Sequence, residues 1–469
     1  MHLRFVAGIV AASAGLALVS CGQNLATSSR SATAASGVTN SVQHAYNPGT
    51  ATTSSTDVSY TGAKLVLQSA DIGGTAAEPT LGIAKDGTAY FAGSRIVVDT
   101  AAAWAGTATD IHRSTDGGLT WKSVQPNLGG VGYPPANADP MIYLDPDTGR
   151  VFTFDLAAAC VFLSYSDDKG ETWTSNPIAC GNVPIDHQTI VSAKPVNGLP
   201  SVTGYPNMLI WCSNRVADGA CGRSFDGGIT WSPAGDPYLG ANTTDGACGS
   251  LGGHLAADPD GRLFVPSAHC GYPQVSVSTD GGVNWTEITV STIPDPDTHT
   301  AVATDQAGNV YYVWMDSTQR PLLSYSRDHG ATWSAPMNVA PPGVLHANFP
   351  VVRARPPGHV ALAFPSSTSK KTANAAWDYT VTMTTDIFAD KPVFVSATAN
   401  DPAAPIHRGP CVGRCAGMWD FIDIQISDTG QVWASESDDC HGDCLTKGAV
   451  INDHNGQGVA VRQVGGPML

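Results

Sequence analysis

Ser114-Thr115-Asp116-Gly117-Gly118-Leu119-Thr120-Trp121 reads as Ser-x-Asp-x-Gly-x-Thr-Trp, and the chain repeats it. Ser166, Asp168, Gly170, Thr172 and Trp173 make a second copy; Ser224, Asp226, Gly228, Thr230 and Trp231 make a third. The fourth, Ser278 to Trp285, carries Asn284 in place of Thr, and Ser326, Asp328, Gly330, Thr332 and Trp333 form the fifth. Thr384-Thr385-Asp386 stands at the next interval without the Gly and Trp, a worn sixth copy. The interval is about 50 residues, the period of an array of like structural units.

Alternating residues precede the octet, as from Asp110 to Ser114. It therefore reads as the turn between two antiparallel strands. Asp and Ser side chains can bond the turn's own amides, Gly takes the positive-φ position, and Trp can cover the turn.

The pattern resembles the Asp-box, or bacterial neuraminidase repeat, of sialidase-like β-propellers, and the resemblance spans roughly residues 60–465. It implies an all-β fold of four-stranded antiparallel blades. The box occurs in enzymes and binding proteins alike, so it speaks for fold more than for activity.

The composition agrees: 50 Gly and 32 Pro among 469 residues, with only 14% charged. A net charge of -16 without clustered Lys or Arg argues against a nucleic-acid partner.

Residues 1–21 read as export machinery. His2 and Arg4 precede an apolar run ending Leu18-Val19-Ser20-Cys21, similar to a bacterial lipoprotein signal whose cleavage leaves a lipidated Cys21. The run is too short to span a membrane. Lipidation would place the protein outside the cytoplasm, on the cell membrane or outer membrane. Residues 22–58, rich in Ser, Thr and Ala, read as a flexible tether. Residues 59–469 read as one propeller domain.

Each Asp-box hairpin follows another hairpin with an Asp/Gly turn, such as Lys85-Asp86-Gly87 or Asp258-Pro259-Asp260-Gly261. Six such units are followed by a seventh, from Phe421 to Val464, with no Asp-box. The expectation is a seven-bladed β-propeller, with the six-bladed sialidase type as the alternative. Lys64 to Leu67 is expected to close the ring as an outermost strand, because an open ring leaves sheet edges unpaired.

The Asp-box turns and Asp/Gly turns share one end of such a ring. The starts of the inner strands share the other, with the loops between hairpins.

Cysteine spacing places bridges at that second end. Cys160 and Cys180 are symmetric about the Asp-box turn at Gly170, Cys248 and Cys270 about the Asp258–Gly261 turn, and Cys212 and Cys221 flank a short loop. Cys415/Cys440 and Cys411/Cys444 are symmetric about the Ser427–Gly430 turn, which favours two nested bridges. The rival pairing is Cys411/Cys415 with Cys440/Cys444, and a zinc site is a weaker alternative.

Aligning the inner strands brings Glu78, Asp139, Asp186, His187, His254, His299, Asn348, Asp420 and Asp423 to the channel rim, with His346 nearby. Asp139, Asp186, His187, His254 and Asp420 are the candidate catalytic groups. Paired carboxylates suit glycoside cleavage, and His with Asp suits proton transfer or metal binding. Equally, a polar rim can do no more than line a channel. No cofactor is indicated; Asp295-Pro296-Asp297 has calcium-ligand chemistry but reads better as a turn.

The sialidase resemblance implies an Arg triad, a Tyr nucleophile backed by Glu, and an Asp acid/base. Arg95-Ile96-Val97 is the nearest match to the family's first Arg motif, without its Pro, and Arg215 and Arg320 could join it. With Glu78, His299 and Asn348 these are the candidate substrate-binding groups.

Three functions follow as expectations: an enzyme acting on extracellular glycans, a non-catalytic glycan- or protein-binding propeller, or an envelope assembly scaffold.

Overall fold

The computed structural model describes residues 42–45, 54–99, 104–126, 138–157, 160–180, 185–196, 204–215, 218–238, 241–242, 246–247, 252–268, 271–296, 300–369, 374–411, 421–447 and 456–469.

The protein is an all-β propeller with four-stranded antiparallel blades. The first sheet shows the plan: Ala77–Ile83, Ala89–Asp99, Trp104–Ser114 and Lys122–Ser123, each paired with the next. Five more sheets follow along the chain, beginning with Ala138–Leu144, Ile185–Ala193, Ala256–Ala257, Ala301–Thr304 and Val351–Ala354.

The closing sheet is composite. Its strands Asp423–Ile426, Val432–Asp438 and Gln457–Gly465 are completed by Val66–Thr75 from the N-terminal side, antiparallel to Gln457–Gly465. This is the closure expected of Lys64 to Leu67, extended by eight residues through Thr75. A strand that precedes the first sheet thus completes the last, covering the edge of Gln457–Gly465. The expected strand at Ala449 to Ile451 lies outside the described residues.

The hydrophobic core is divided between neighbouring sheets. Phe152, Phe154 and Leu163 of the second pack on Leu209 and Trp211 of the third. Tyr379 and Val381 of the sixth pack on Ile424, Val432 and Val461 of the closing sheet. Trp433 and Ala460 of the closing sheet meet Leu81 and Phe91 of the first. Removing one such aromatic, as in Phe152→Ala, costs about 3–5 kcal/mol because close-packed walls collapse only partly onto the cavity.

The five full Asp-boxes share one set of bonds. In the first, Gly118 N–H donates to Ser114 Oγ (2.9 Å), Thr120 N–H to Asp116 Oδ1 (3.0 Å), and the Thr120 hydroxyl to Asp116 Oδ2 (2.6 Å). Trp121 Nε1–H closes the turn on Gly118 O (3.1 Å). These donors hold the Asp116 carboxyl below the usual range, the Thr120 hydroxyl contributing most.

Gly118, at φ 83°, lies against Trp433 of the closing sheet, so a Cβ there would collide with its ring. Gly228, at φ 91°, faces Leu163 and Phe152 of the preceding sheet. The box is therefore a staple between sheets at the end of the ring where the hairpins turn.

The segment expected to be a tether is in part ordered as strand. Val42–Ala45 pairs in parallel with the outer strand of the fourth sheet, Thr56–Asp57 with that of the fifth, and Ser59–Tyr60 with that of the sixth. The physical reason is edge coverage: an outer strand offers a free row of amides and carbonyls. Tyr60 anchors this belt, donating its hydroxyl to Val339 O (2.7 Å) and meeting the ring of Phe394 at a tilt, with centroids 5.9 Å apart. Among the described residues no helix is long and apolar enough to cross a membrane.

Cys212 and Cys221 are bonded, directly across a strand pair as expected. Cys160 is disulfide-bonded and stands in register with Cys180.

The nested pairing of the last four cysteines is corrected: Cys440 bonds Cys444. Both sit where the chain leaves Val432–Asp438 and turns into the helix Asp443–Lys447, which brings them together locally. Bonded to each other, they also offer no thiolates for zinc. Cys411 is disulfide-bonded too; Cys415, Cys248 and Cys270 lie outside the described residues.

Candidate functional site at the cystine-braced end

At the end of the ring opposite the Asp-boxes, the start of the inner strands breaks the regular pleat. Glu78, Asp139, His187 and Phe349 adopt φ of 53°, 54°, 48° and 46°. A side chain at positive φ crowds its own backbone, and such strain persists only where surrounding structure fixes it. Strand pairing slips at the first three, between Ala77 and Thr80, between Phe154 and Leu156, and between Asp186 and Thr189. Each slip is a bulge that re-aims the residue.

The bulged residues bond from sheet to sheet. Asp139 N–H donates to Glu78 Oε2 (2.9 Å), and His187 N–H donates to Asp139 Oδ2 (2.8 Å). Leu81 N–H of the first sheet donates to Asp423 Oδ2 of the closing sheet (3.0 Å). Thr80 and Thr189 make parallel links, their hydroxyls accepting from Ile142 N–H and Leu255 N–H (both 2.9 Å).

Glu78 and Asp139 are buried, at 1% and 2% exposure. Asp139 is thus placed at the rim as expected, but its carboxylate and that of Glu78 hold the ring together. Asn348 is also buried, its amide oxygen accepting from Phe349 N–H (3.0 Å).

The two histidines converge. His187 and His254 each meet the ring of Phe421 edge-on, with centroids 5.4 Å and 5.1 Å apart. They line a cavity of about 40 Å³ with Thr300, Phe349 and Pro350.

His187 Nδ1 lies 3.1 Å from Gly252 O, so Nδ1 carries the hydrogen and the basic lone pair stays on Nε2. His254 is pushed down to about 4, chiefly by burial, and is neutral at physiological pH. Its Nε2 is buried without a hydrogen-bond partner among the described residues. Chemically, this is a pair of imidazoles over a small aromatic-walled recess, His254 held neutral by burial.

Asp139, Asp186 and His187 each present a ligand atom within 4.8 Å of the others, the geometry of a cation site, although Asp139 is already engaged by the His187 amide. At the opposite end, Asp258, Asp260 and His329 form a similar group, but Arg262 already pairs with both carboxylates. Of the candidate calcium run, Asp295 is buried and Asp297 lies outside the described residues.

Of the three candidate arginines, Arg320 has a described side chain. Arg320 closes its own turn on Asp316, with Nη2–Oδ2 at 2.6 Å, because a four-residue return brings the two together. Its side chain remains 43% exposed. The backbones of Arg95 and Arg215 lie in strands Ala89–Asp99 and Met208–Arg215; their side chains are outside the description. His299 and Asp420 also lie outside the described residues.

Sequence reasoning missed Phe421 as the wall between the histidines, and Arg353. The latter donates Nε–H to Ile424 O (3.2 Å) and stands 3.9 Å from Asp423. One signal was available: Glu78-Pro79, Asp139-Pro140 and Phe349-Pro350 place a proline after three of the four strained residues.

Fold and repeat together define the class: a β-propeller whose hairpins turn through Asp-boxes. The family model for the BNR/Asp-box repeat matches residues 223–233. No relative among curated proteins matches the sequence.

Solved structures similar to this chain include a Hadza microbial sialidase, Hz136. It is 16% identical, with 63% of this chain and 64% of that one covered and a TM-score of 0.43. A protein of unknown function from Dyadobacter fermentans is 15% identical over 86% of this chain and 99% of that one, at 0.46. Virginiamycin B lyase from Staphylococcus aureus is 12% identical over 85% and 99%, at 0.48. This chain spans 64% of the length of the sialidase, and these likenesses concern fold alone.

Proposed function

We propose that this chain is an exported lipoprotein, anchored through Cys21, whose propeller acts on an extracellular glycan at the cystine-braced end, with His187 and His254 as the proton-transfer groups. The observation that carries the reading is the convergence of two imidazoles on one recess, His254 kept neutral by burial. A neutral imidazole keeps a lone pair that can accept a proton at physiological pH, and burial makes that of His254 weaker than an ordinary imidazole. Phe421, Phe349 and Pro350 offer apolar surface on which a sugar ring can rest.

The two-carboxylate route to glycoside cleavage is the weaker chemistry here, since Glu78 and Asp139 are committed to backbone amides. No cofactor is assigned. We read the ring as seven-bladed, counting the composite closing sheet with the six sheets before it; setting that sheet apart leaves the six of the sialidase type.

Incubation with a panel of polysaccharides and sialosides, following new reducing ends and unsaturated sugar products, tests the reading. Turnover lost in both His187→Ala and His254→Ala supports it. Turnover that survives both removes the histidines from the chemistry.

A second reading is a non-catalytic glycan-binding or protein-binding propeller. It is favoured by the size of the recess, about 40 Å³, which is room for roughly one water. Saturable glycan binding without product selects it. An envelope scaffold would instead show a stoichiometric protein partner on pull-down.

A further inference from the structure

The larger recess lies at the other end of the ring. About 290 Å³ opens among the ends of the inner strands on the Asp-box side, against about 40 Å³ at the histidines. That volume is near the lower bound of small-molecule pockets, ~300 Å³.

Its floor is apolar, formed by Ala193, Ala257 and Ala354 from three different sheets. Its rim carries charge of both signs, and the two signs are not equally occupied.

Each carboxylate of the rim already has donors of its own. Asp147 accepts from Asn207 Nδ2 (3.1 Å). Asp258 is held by Arg262 (3.0 Å) and His329 (3.1 Å). Asp305 accepts from the Asn309 amide (2.7 Å) and the Tyr311 hydroxyl (2.6 Å). Tyr205 and Asn207 likewise occupy Asp145 just behind the rim.

The cations differ. Lys194, at the end of the third sheet's inner strand, is exposed and makes no ion pair or hydrogen bond through its ammonium among the described residues. Arg355, following the inner strand of the sixth sheet, pairs through Nη2 with Asp428, and its side chain remains 30% exposed. A guanidinium has five N–H donors, so one such pair leaves others for a second acceptor.

We propose that this recess binds a monosaccharide-sized anion, a sugar carboxylate or a sugar phosphate, held between Lys194 and Arg355. The alanine floor takes the carbon face of the sugar, and the anionic group takes the Lys194 ammonium, which pairs with no carboxylate among the described residues. This site is independent of the histidine chemistry and lies at the opposite end of the ring.

Calorimetric titration of the purified protein with glucuronate, glucose 6-phosphate and glucose tests the proposal. At least one anion is expected to bind saturably while glucose does not. Lys194→Gln and Arg355→Gln should each weaken that binding about tenfold or more. Lys194 is exposed, so its variant should melt with the parent, and His254→Ala should leave the binding intact.

Binding of glucuronate alone assigns a carboxylate ligand, and binding of glucose 6-phosphate alone a phosphate. The proposal is overturned if neither anion binds, if glucose binds equally well, or if both Gln variants bind like the parent.

Discussion

The Asp139 carboxylate accepts the backbone N–H of His187 at 2.8 Å, and this bond joins the second sheet to the third where both inner strands are strained. The amide is buried, and losing Asp139 leaves it only the longer bond to Asp186 Oδ1 (3.2 Å) and breaks the link between the sheets. Asp139→Ala is expected to destabilise the protein by about 1–3 kcal/mol, while Asp139→Asn, which keeps an oxygen in place, costs less. Chemical denaturation of the two variants checks the order. If Asp139 were instead a catalytic acid, both would melt like the parent and both would lose turnover.

His254 should titrate near 4 by NMR. Its folded value lies below the unfolded value of ~6.5, so between the two the unfolded chain binds more proton. The stability this histidine contributes is complete above pH ~6.5 and is lost as pH falls towards 4. His254→Gln should flatten that part of the stability-versus-pH curve. An unchanged slope would show that His254 is solvated.

Glu436 titrates in the opposite sense. It is buried, and burial, then Asp438 and Asp378, push its carboxyl well above the usual range. Asp438 is itself pushed up to about 6. A carboxyl raised in the fold favours the folded state at low pH, and this is lost as pH rises from the unfolded value of ~4.3 towards the folded one. Glu436→Gln should therefore gain melting temperature over the parent as pH increases. No gain at pH 7 would mean that the carboxylate finds a partner there.

The ring closure is legible in the chain ends. A protein beginning at residue 61 keeps Val66–Thr75 and should stay folded, losing the edge pairings of Val42–Ala45, Thr56–Asp57 and Ser59–Tyr60 and the Tyr60 contacts. One beginning at residue 76 leaves Gln457–Gly465 as an open edge and should aggregate. Size-exclusion chromatography distinguishes the two.

In the fourth Asp-box, Asp280 accepts from Val283 N–H, Asn284 N–H and the Asn284 side chain. Asp280→Ala should cost about 1–2 kcal/mol. Binding at either end of the ring should not change, since the turn is scaffold.

The contrast between Asp280 and Asp139 shows what the sequence carries. Asp280 sits in a repeat whose bonds are all local, so spacing alone tells its role. So do the cross-strand pair Cys212/Cys221 and the N-terminal closing strand, because a hairpin's symmetry and a ring's free edge are properties of the chain pattern.

Asp139 looks the same as a catalytic carboxylate in sequence. Its role depends on the His187 amide 48 residues away, turned towards it by a bulge that no local pattern announces. Phe421 was invisible for the same reason: it matters only because two histidines from other sheets flank it. The Arg320 pairing with Asp316 is local, made within a four-residue return, yet an isolated arginine in the sequence does not announce it.

The central claim is that His187 and His254 move protons on a glycan. The most direct measurement is the pH dependence of turnover on the best polysaccharide of a panel, for the parent, His187→Ala and His254→Ala. The account predicts turnover in the parent that falls as pH drops towards 4, and loss of about 10²–10⁴-fold in either variant with folding intact. Equal rates in parent and variants, or no turnover of any glycan beside saturable binding, would contradict it.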